Sequence, residues 1–233
     1  FGTETPFYAS FDTNNSCNLR CQGCDFPILL RNGELGKDPS LETLEDRLNK
    51  MHGAFGSMLI VSAGFEPTVR KDLPEIIQAV DVHHYAGIVT NGTLITPELA
   101  KAYWQAGLKF ASVSIPSFDE ARFLQIIGAE NDARLRRFGL ERVKKSLEIL
   151  LKTAPATKFV TITATFDGKT TLNDLRNLAA YAQSLGVLLS LQPYSPSKPA
   201  SADPTYDSEA DNRVITDRTV ETVFGGRIIN RIL

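Results

Sequence analysis

Three side chains in this sequence are good ligands for a soft metal, and all three lie within eight positions. Cys17, Cys21 and Cys24 occupy the stretch DTNNSCNLRCQGCDFP, residues 12–27, and the 233-residue chain contains no other cysteine. Several chemistries compete for a C-x3-C-x2-C loop. Disulfides suit it poorly, because three is an odd number and the spacing is tight. A structural zinc ion takes four protein ligands, so it would need one of His52, His83 or His84, the only histidines present. A catalytic zinc with three cysteines and a water would need a general acid–base that the stretch does not contain. A [4Fe–4S] cluster held by three thiolates leaves one iron open to a substrate or cofactor.

The elements that must position this loop alternate in type. Residues 7–11 (FYASF) read as a first strand leading straight into the cysteines. A helix follows over residues 38–53, with Leu41, Leu44, Leu48 and Met51 at helical spacing and Gly53 as its expected stop. Further strands are expected at residues 57–64, 86–92, 110–115, 158–166 and 187–195. Between them run a helix in KDLPEIIQAV, a helix capped by Thr96 with Pro97 in its first turn and Gly107 as its stop, one long Arg-rich helical region reaching about residue 151, and a helix over residues 173–186. Strands separated by such helices form right-handed parallel βαβ units. Six units are two short of a closed eightfold barrel. The expected fold is therefore α/β, a (β/α)6 partial TIM barrel over residues 1–195, with a flavodoxin-like sheet as the competing topology. Both collect their chemistry at the C-terminal ends of the strands. Residues 196–233 read as a loop rich in Pro, Ser, Ala and Asp, followed by one last helix in VITDRTVETVF.

Composition narrows the class. Hydrophobic residues make up 42% and charged residues 22% of the chain, the balance of an ordinary globular protein. A formal charge of −2 gives no electrostatic case for nucleic acid. No apolar run reaches the roughly 20 residues that span a bilayer, and no signal-peptide pattern opens the chain, so a cytoplasmic location is expected. His83 and His84, between a helix and a strand, are expected at the surface, and Tyr103 and Trp104 are expected to pack inside. Arg134, Arg136 and Arg137 read as a solvated face.

CNLRCQGC after a first strand resembles the radical S-adenosylmethionine (SAM) superfamily. The resemblance extends over roughly residues 7–195. SAGFEPTVRKDL resembles the family's Gly-Gly-Glu-Pro segment after the second strand, with Gly64, Glu66 and Pro67 in register; VTNGTLIT resembles the Thr-Asn-Gly turn after the third. SVSIPSFDEARF resembles the fourth strand and LQPYSP the end of the sixth. Among members it is similar to enzymes of molybdenum-cofactor biosynthesis and of the peptide-modifying branch.

The resemblance implies a function. Cys17, Cys21 and Cys24 would hold a [4Fe–4S] cluster whose open iron binds SAM, and reductive cleavage of SAM would give a 5′-deoxyadenosyl radical that takes hydrogen from a substrate. Backbone at Gly64, Phe65 and Glu66 would receive the SAM amino group, and Arg70 would face the SAM carboxylate or an anionic substrate. Thr90, Asn91 and Ser114 would lie near the methionine and ribose, Gln192 and Pro193 near the adenine. The implied partners are a small-molecule or peptide substrate from a biosynthetic pathway and an electron donor such as flavodoxin or ferredoxin. The chain departs from the family pattern at four positions. Phe65 stands in place of the second glycine, Gly23 where many members carry an aromatic residue, Pro116 where Asp is frequent, and Ile127 where a carboxylate-binding Arg is usual. The competing readings are a glycyl-radical activating enzyme, a three-cysteine zinc hydrolase or deaminase, and an iron–sulfur regulatory protein that binds SAM without cleaving it.

Overall fold

The computed structural model describes residues 7–130 and 132–193. Six strands, β1 (Tyr8–Asp12), β2 (Leu59–Ala63), β3 (Tyr85–Thr90), β4 (Phe110–Ser114), β5 (Phe159–Phe166) and β6 (Leu188–Pro193), pair in sequence order, every pair parallel. Sequential order excludes the flavodoxin-like alternative, whose second strand lies outside the first. The sheet curls into an open half-barrel. The expected terminal helix in VITDRTVETVF and the domain boundary at 195/196 lie outside the described residues.

The helices are α1 (Phe26–Asn32), α2 (Leu41–Phe55), α3 (Leu73–Asp81), α4 (Pro97–Gln105), α5 (Glu120–Ile126), α6 (Ala133–Arg136), α7 (Leu140–Thr153) and α8 (Leu172–Leu185); α3, α7 and α8 pack on the strands from the convex side, with α2 and α4 beside them. Alternation along each strand sends one set of side chains toward them. Ile60, Ile88, Val113 and Ile162 are fully buried there with Ile76, Ile77, Leu147 and Leu178. Each such side chain contributes about 1.5–3 kcal/mol on burial. Tyr103 and Trp104 join this core, and the Trp104 indole donates to Thr153 Oγ1 at 3.1 Å.

The capping chemistry of α4 follows its sequence: Thr96 Oγ1 accepts the Leu99 amide, and Pro97 occupies the first turn. In α8, Thr171 is the N-cap and Gly186, at φ 67°, the left-handed stop. Elsewhere the structure corrects the sequence. Gly53 lies inside α2, whose stop is Gly56 at φ 75°. One internal glycine costs a helix only about 1 kcal/mol, and burial of Leu44 and Leu48 outweighs it. The Arg-rich helical region is three helices, because Gly128 (φ 78°) ends α5, Asp132 caps α6 and Gly139 opens α7. Residues 26–32, where no element was expected, form α1 with Pro27 in its first turn and Gly33 as its left-handed stop. His84 is buried, not exposed. It bridges the Met58 amide and the Leu48 carbonyl at 3.4 and 3.1 Å, while His83 stays outside and stacks on His52.

Candidate iron–sulfur site at the barrel mouth

The cysteine loop leaves the C-terminal end of β1 and is stitched to its neighbours by its own polar residues. Asn14 is 2% exposed, and its amide nitrogen donates to the carbonyls of Ser16 (2.7 Å) and Glu66 (2.8 Å). The Glu66 amide returns a bond to the Ser16 carbonyl at 3.0 Å. The segment after β2 is thus bound to the loop from both sides. Gly64, at φ 95°, has to be glycine: a β-carbon there would lie 2.9 Å from the Asn14 carbonyl oxygen.

The fully buried Glu66 carboxylate ties in the third strand end. It accepts the Thr68 amide and hydroxyl, the Thr90 hydroxyl at 2.7 Å and the Asn91 amide at 2.7 Å. Burial pushes its pKa up, and hydrogen bonds from Thr68, Asn91 and Thr90 oppose that rise. Asn91 then donates to Asn18 Oδ1 (2.9 Å), and Asn18 donates to Thr93 Oγ1 (2.7 Å), which itself donates to Asn91 Oδ1 (2.7 Å). On its far side the loop docks on α5: the Arg20 and Gln22 amides donate to the carbonyls of Ile127 (3.2 Å) and Ile126 (2.7 Å).

Held in this frame, the three cysteines are free thiols, half-buried. Burial raises the Cys17 pKa to about 11 and that of Cys21 to about 12, and it raises Cys24 as well. Backbone amides at Leu19 and Phe26 donate to Cys17 and Cys24 sulfur at 3.4 and 3.5 Å, a contact that favours thiolates. Among the described residues no three His, Cys, Asp or Glu side chains converge to hold one metal ion. His84 and its neighbours bond at the N-terminal ends of β2 and β3, the opposite end of the barrel, so no described histidine completes a zinc site. The donor set fits an iron–sulfur cluster. One further feature fits a ligand with a hydrogen-bond donor: buried Asn14 Oδ1, beside Gly64, has no partner.

The residues expected around SAM divide into two groups. Gly64 is exposed, Phe65, Asn91 and Ser114 are half-buried, and Gln192 and Pro193 are exposed at the end of β6, all at the mouth. Thr90 and Arg70 have their polar groups bonded within the protein. Thr90 is buried, its hydroxyl donating to Glu66 and accepting the Gly92 amide. The Arg70 guanidinium bonds the Asp72 carboxylate and the carbonyls of Thr13 (2.7 Å) and Pro39 (2.8 Å), and its side chain is 7% exposed. Both hold the frame. Asn14, Asn18, Thr68 and Thr93 do so too and were not expected, although the Asn that follows the first cysteine was a usable signal.

A parallel half-barrel with a three-thiol loop at its mouth defines a partial-barrel protein whose donor set fits an iron–sulfur cluster. The family model described as the radical SAM superfamily matches residues 12–182, and the chain belongs to that superfamily. It is 30% identical over 191 residues to the probable GTP 3',8-cyclase of Methanococcus vannielii, covering 78% of this chain and 57% of that protein. To the Fe-coproporphyrin III synthase of Methanosarcina barkeri it is 37% identical over 125 residues, 52% of this chain and 30% of that one. The fold superposes on Streptococcus suis SuiB bound to S-adenosylmethionine with a TM-score of 0.62 at 18% identity, covering 87% of this chain and 44% of that chain. The chain thus spans between 30% and 57% of the length of these curated relatives.

Proposed function

We propose that the protein is a radical SAM enzyme in which Cys17, Cys21 and Cys24 hold a site-differentiated [4Fe–4S] cluster. The observation that carries the proposal is the frame around the cysteines: Asn14, Glu66 and Asn91 bind the loop to the ends of β2 and β3 without using any cysteine sulfur. Held by Cys17, Cys21 and Cys24, such a cluster would supply the one electron for reductive cleavage of the SAM C5′–S bond, with methionine released and hydrogen taken from a substrate by the deoxyadenosyl fragment.

The chain's own residues would orient SAM and exclude water. The Gly64–Glu66 backbone, with the unpartnered Asn14 Oδ1 beneath it, receives the amino group. Asn91 and Ser114 flank the methionine and ribose, and Gln192 and Pro193 the adenine. Arg70 and Thr90 act on SAM only through the segments they hold.

The substrate is a small molecule or a peptide of a biosynthetic pathway. The named relatives support this range: one is a probable GTP 3',8-cyclase, one an Fe-coproporphyrin III synthase, and SuiB has been solved with its precursor peptide SuiA. Flavodoxin or ferredoxin would deliver the electron, in a cytoplasmic setting. Among the described residues no helix is long and apolar enough to cross a membrane.

Anaerobic reconstitution with iron and sulfide tests the reading. About four irons and four sulfides per chain, with an electron paramagnetic resonance signal that shifts when SAM is added to the reduced protein, are expected. Stoichiometric zinc with no iron uptake would overturn it.

A further inference from the structure

Two of the positions at which the chain departs from its family lie in the cysteine loop and in the segment bonded to it. Gly23, in place of an aromatic residue, has φ 74° and is exposed, so the position just before the third cysteine carries no side chain. Phe65, in place of a glycine, is half-buried, and its ring packs on Phe26 with centroids 4.9 Å apart and planes inclined at 51°.

Neither ring is free to lie elsewhere. Phe65 stands between Gly64, which abuts Asn14, and Glu66, whose amide is bonded to Ser16 of the cysteine loop. Phe26 is 4% exposed, and its amide donates to Cys24 sulfur at 3.5 Å. The Arg20 guanidinium lies over the Phe26 ring, 5.1 Å from its centroid, and also donates to the Cys17 and Leu19 carbonyls at 3.2 and 2.7 Å. Arg20, Phe26 and Phe65 therefore run as one wall from the first cysteine, past the third, to the segment after β2.

We infer that the Phe26–Phe65 pair is an apolar shield for the cluster on its Cys24 side, with Phe65 as a positioning residue that keeps water from that ligand. This rests on the iron–sulfur reading above. With three thiolates the cluster becomes more negative on reduction, and water stabilises the more highly charged state. Covering it holds the reduction potential low, the direction needed by a centre that must reduce SAM. The wall also slows the approach of dioxygen.

Phe65→Gly, which removes the ring and restores a Gly-Gly pair, tests the shield in reconstituted holoprotein. The reduction potential, read by a dithionite titration followed by electron paramagnetic resonance, should rise, and bleaching of the cluster in air should be several-fold faster than in wild type. Phe65→Leu keeps apolar cover without an aromatic ring and should hold both quantities near wild type. A purely structural role would lower the unfolding midpoint of Phe65→Gly and leave its potential where it was. Unchanged potential and bleaching in Phe65→Gly, or an equal shift in Phe65→Leu, would overturn the inference. If wild type takes up no cluster, the iron–sulfur reading itself fails, an outcome separate from either result.

Discussion

The Glu66 carboxylate accepts the backbone amide of Asn91 at 2.7 Å, fastening the turn after β3 to the turn after β2 from inside the protein. Asn91 passes the constraint to Asn18, one residue beyond the first cysteine. A fully buried acidic side chain therefore sets the position of the cysteine loop without bonding to any cysteine sulfur.

Glu66→Gln should show this. Three donors meet one carboxylate oxygen and a fourth meets the other, so an amide group placed in either orientation sets N–H against N–H or O–H. The expected loss of stability is about 1–3 kcal/mol, measured by urea unfolding of the apoprotein. Iron uptake should weaken with it, because Asn91 and Asn18 lose their anchor.

Glycines separate the site from the scaffold. A β-carbon at Gly128, φ 78°, would collide with the Arg20 backbone in the cysteine loop, so Gly128→Ala should cost at least about 1–3 kcal/mol and lower the iron content per chain. Gly53, within α2, has open space around its missing β-carbon. Gly53→Ala should stabilise by about 0.5–1 kcal/mol with iron content unchanged.

Much of this was legible before any coordinates, for definite reasons. Strand alternation, the Thr96–Pro97 helix start and the cysteine spacing are local signals, and each appears where expected. What was not legible depends on contacts distant in sequence. Nothing near Thr90 or Arg70 reveals that their polar groups turn to Glu66, Thr13 and Pro39, residues 24 to 57 positions away. His84 read as a surface residue because the Leu48 carbonyl it bonds lies 36 positions earlier. Helix α1 was missed because seven residues give too little periodicity to stand out from a loop.

The Arg70–Asp72 pair carries a pH dependence. Hydrogen bonding to Arg70 holds the Asp72 carboxyl below the usual aspartate range. Its contribution is then present above the unfolded value near pH 3.9 and is lost as pH falls through the depressed folded value. Asp72 is 42% exposed, so the gain is modest, under about 1 kcal/mol. Asp72→Asn should be slightly less stable than wild type at pH 7, and the gap should close below about pH 4 in thermal melts.

His84 offers a control at the far end of the barrel. Leu in its place leaves the Met58 amide and Leu48 carbonyl without their partner, at a cost of about 1–3 kcal/mol. His84→Leu should lower the urea midpoint and leave iron stoichiometry and SAM binding intact. Loss of iron in this variant would mean that a histidine supports the metal after all.

The central claim is that the three thiols hold a cluster that cleaves SAM. Its most direct test is chromatography for 5′-deoxyadenosine after anaerobic reconstitution and addition of SAM and dithionite, with Cys17→Ala, Cys21→Ala and Cys24→Ala run alongside. Wild type should release deoxyadenosine, and each variant should lose both the cluster and the product. Deoxyadenosine from any of the three variants at the wild-type level, or none from a wild-type protein carrying four irons, would contradict it.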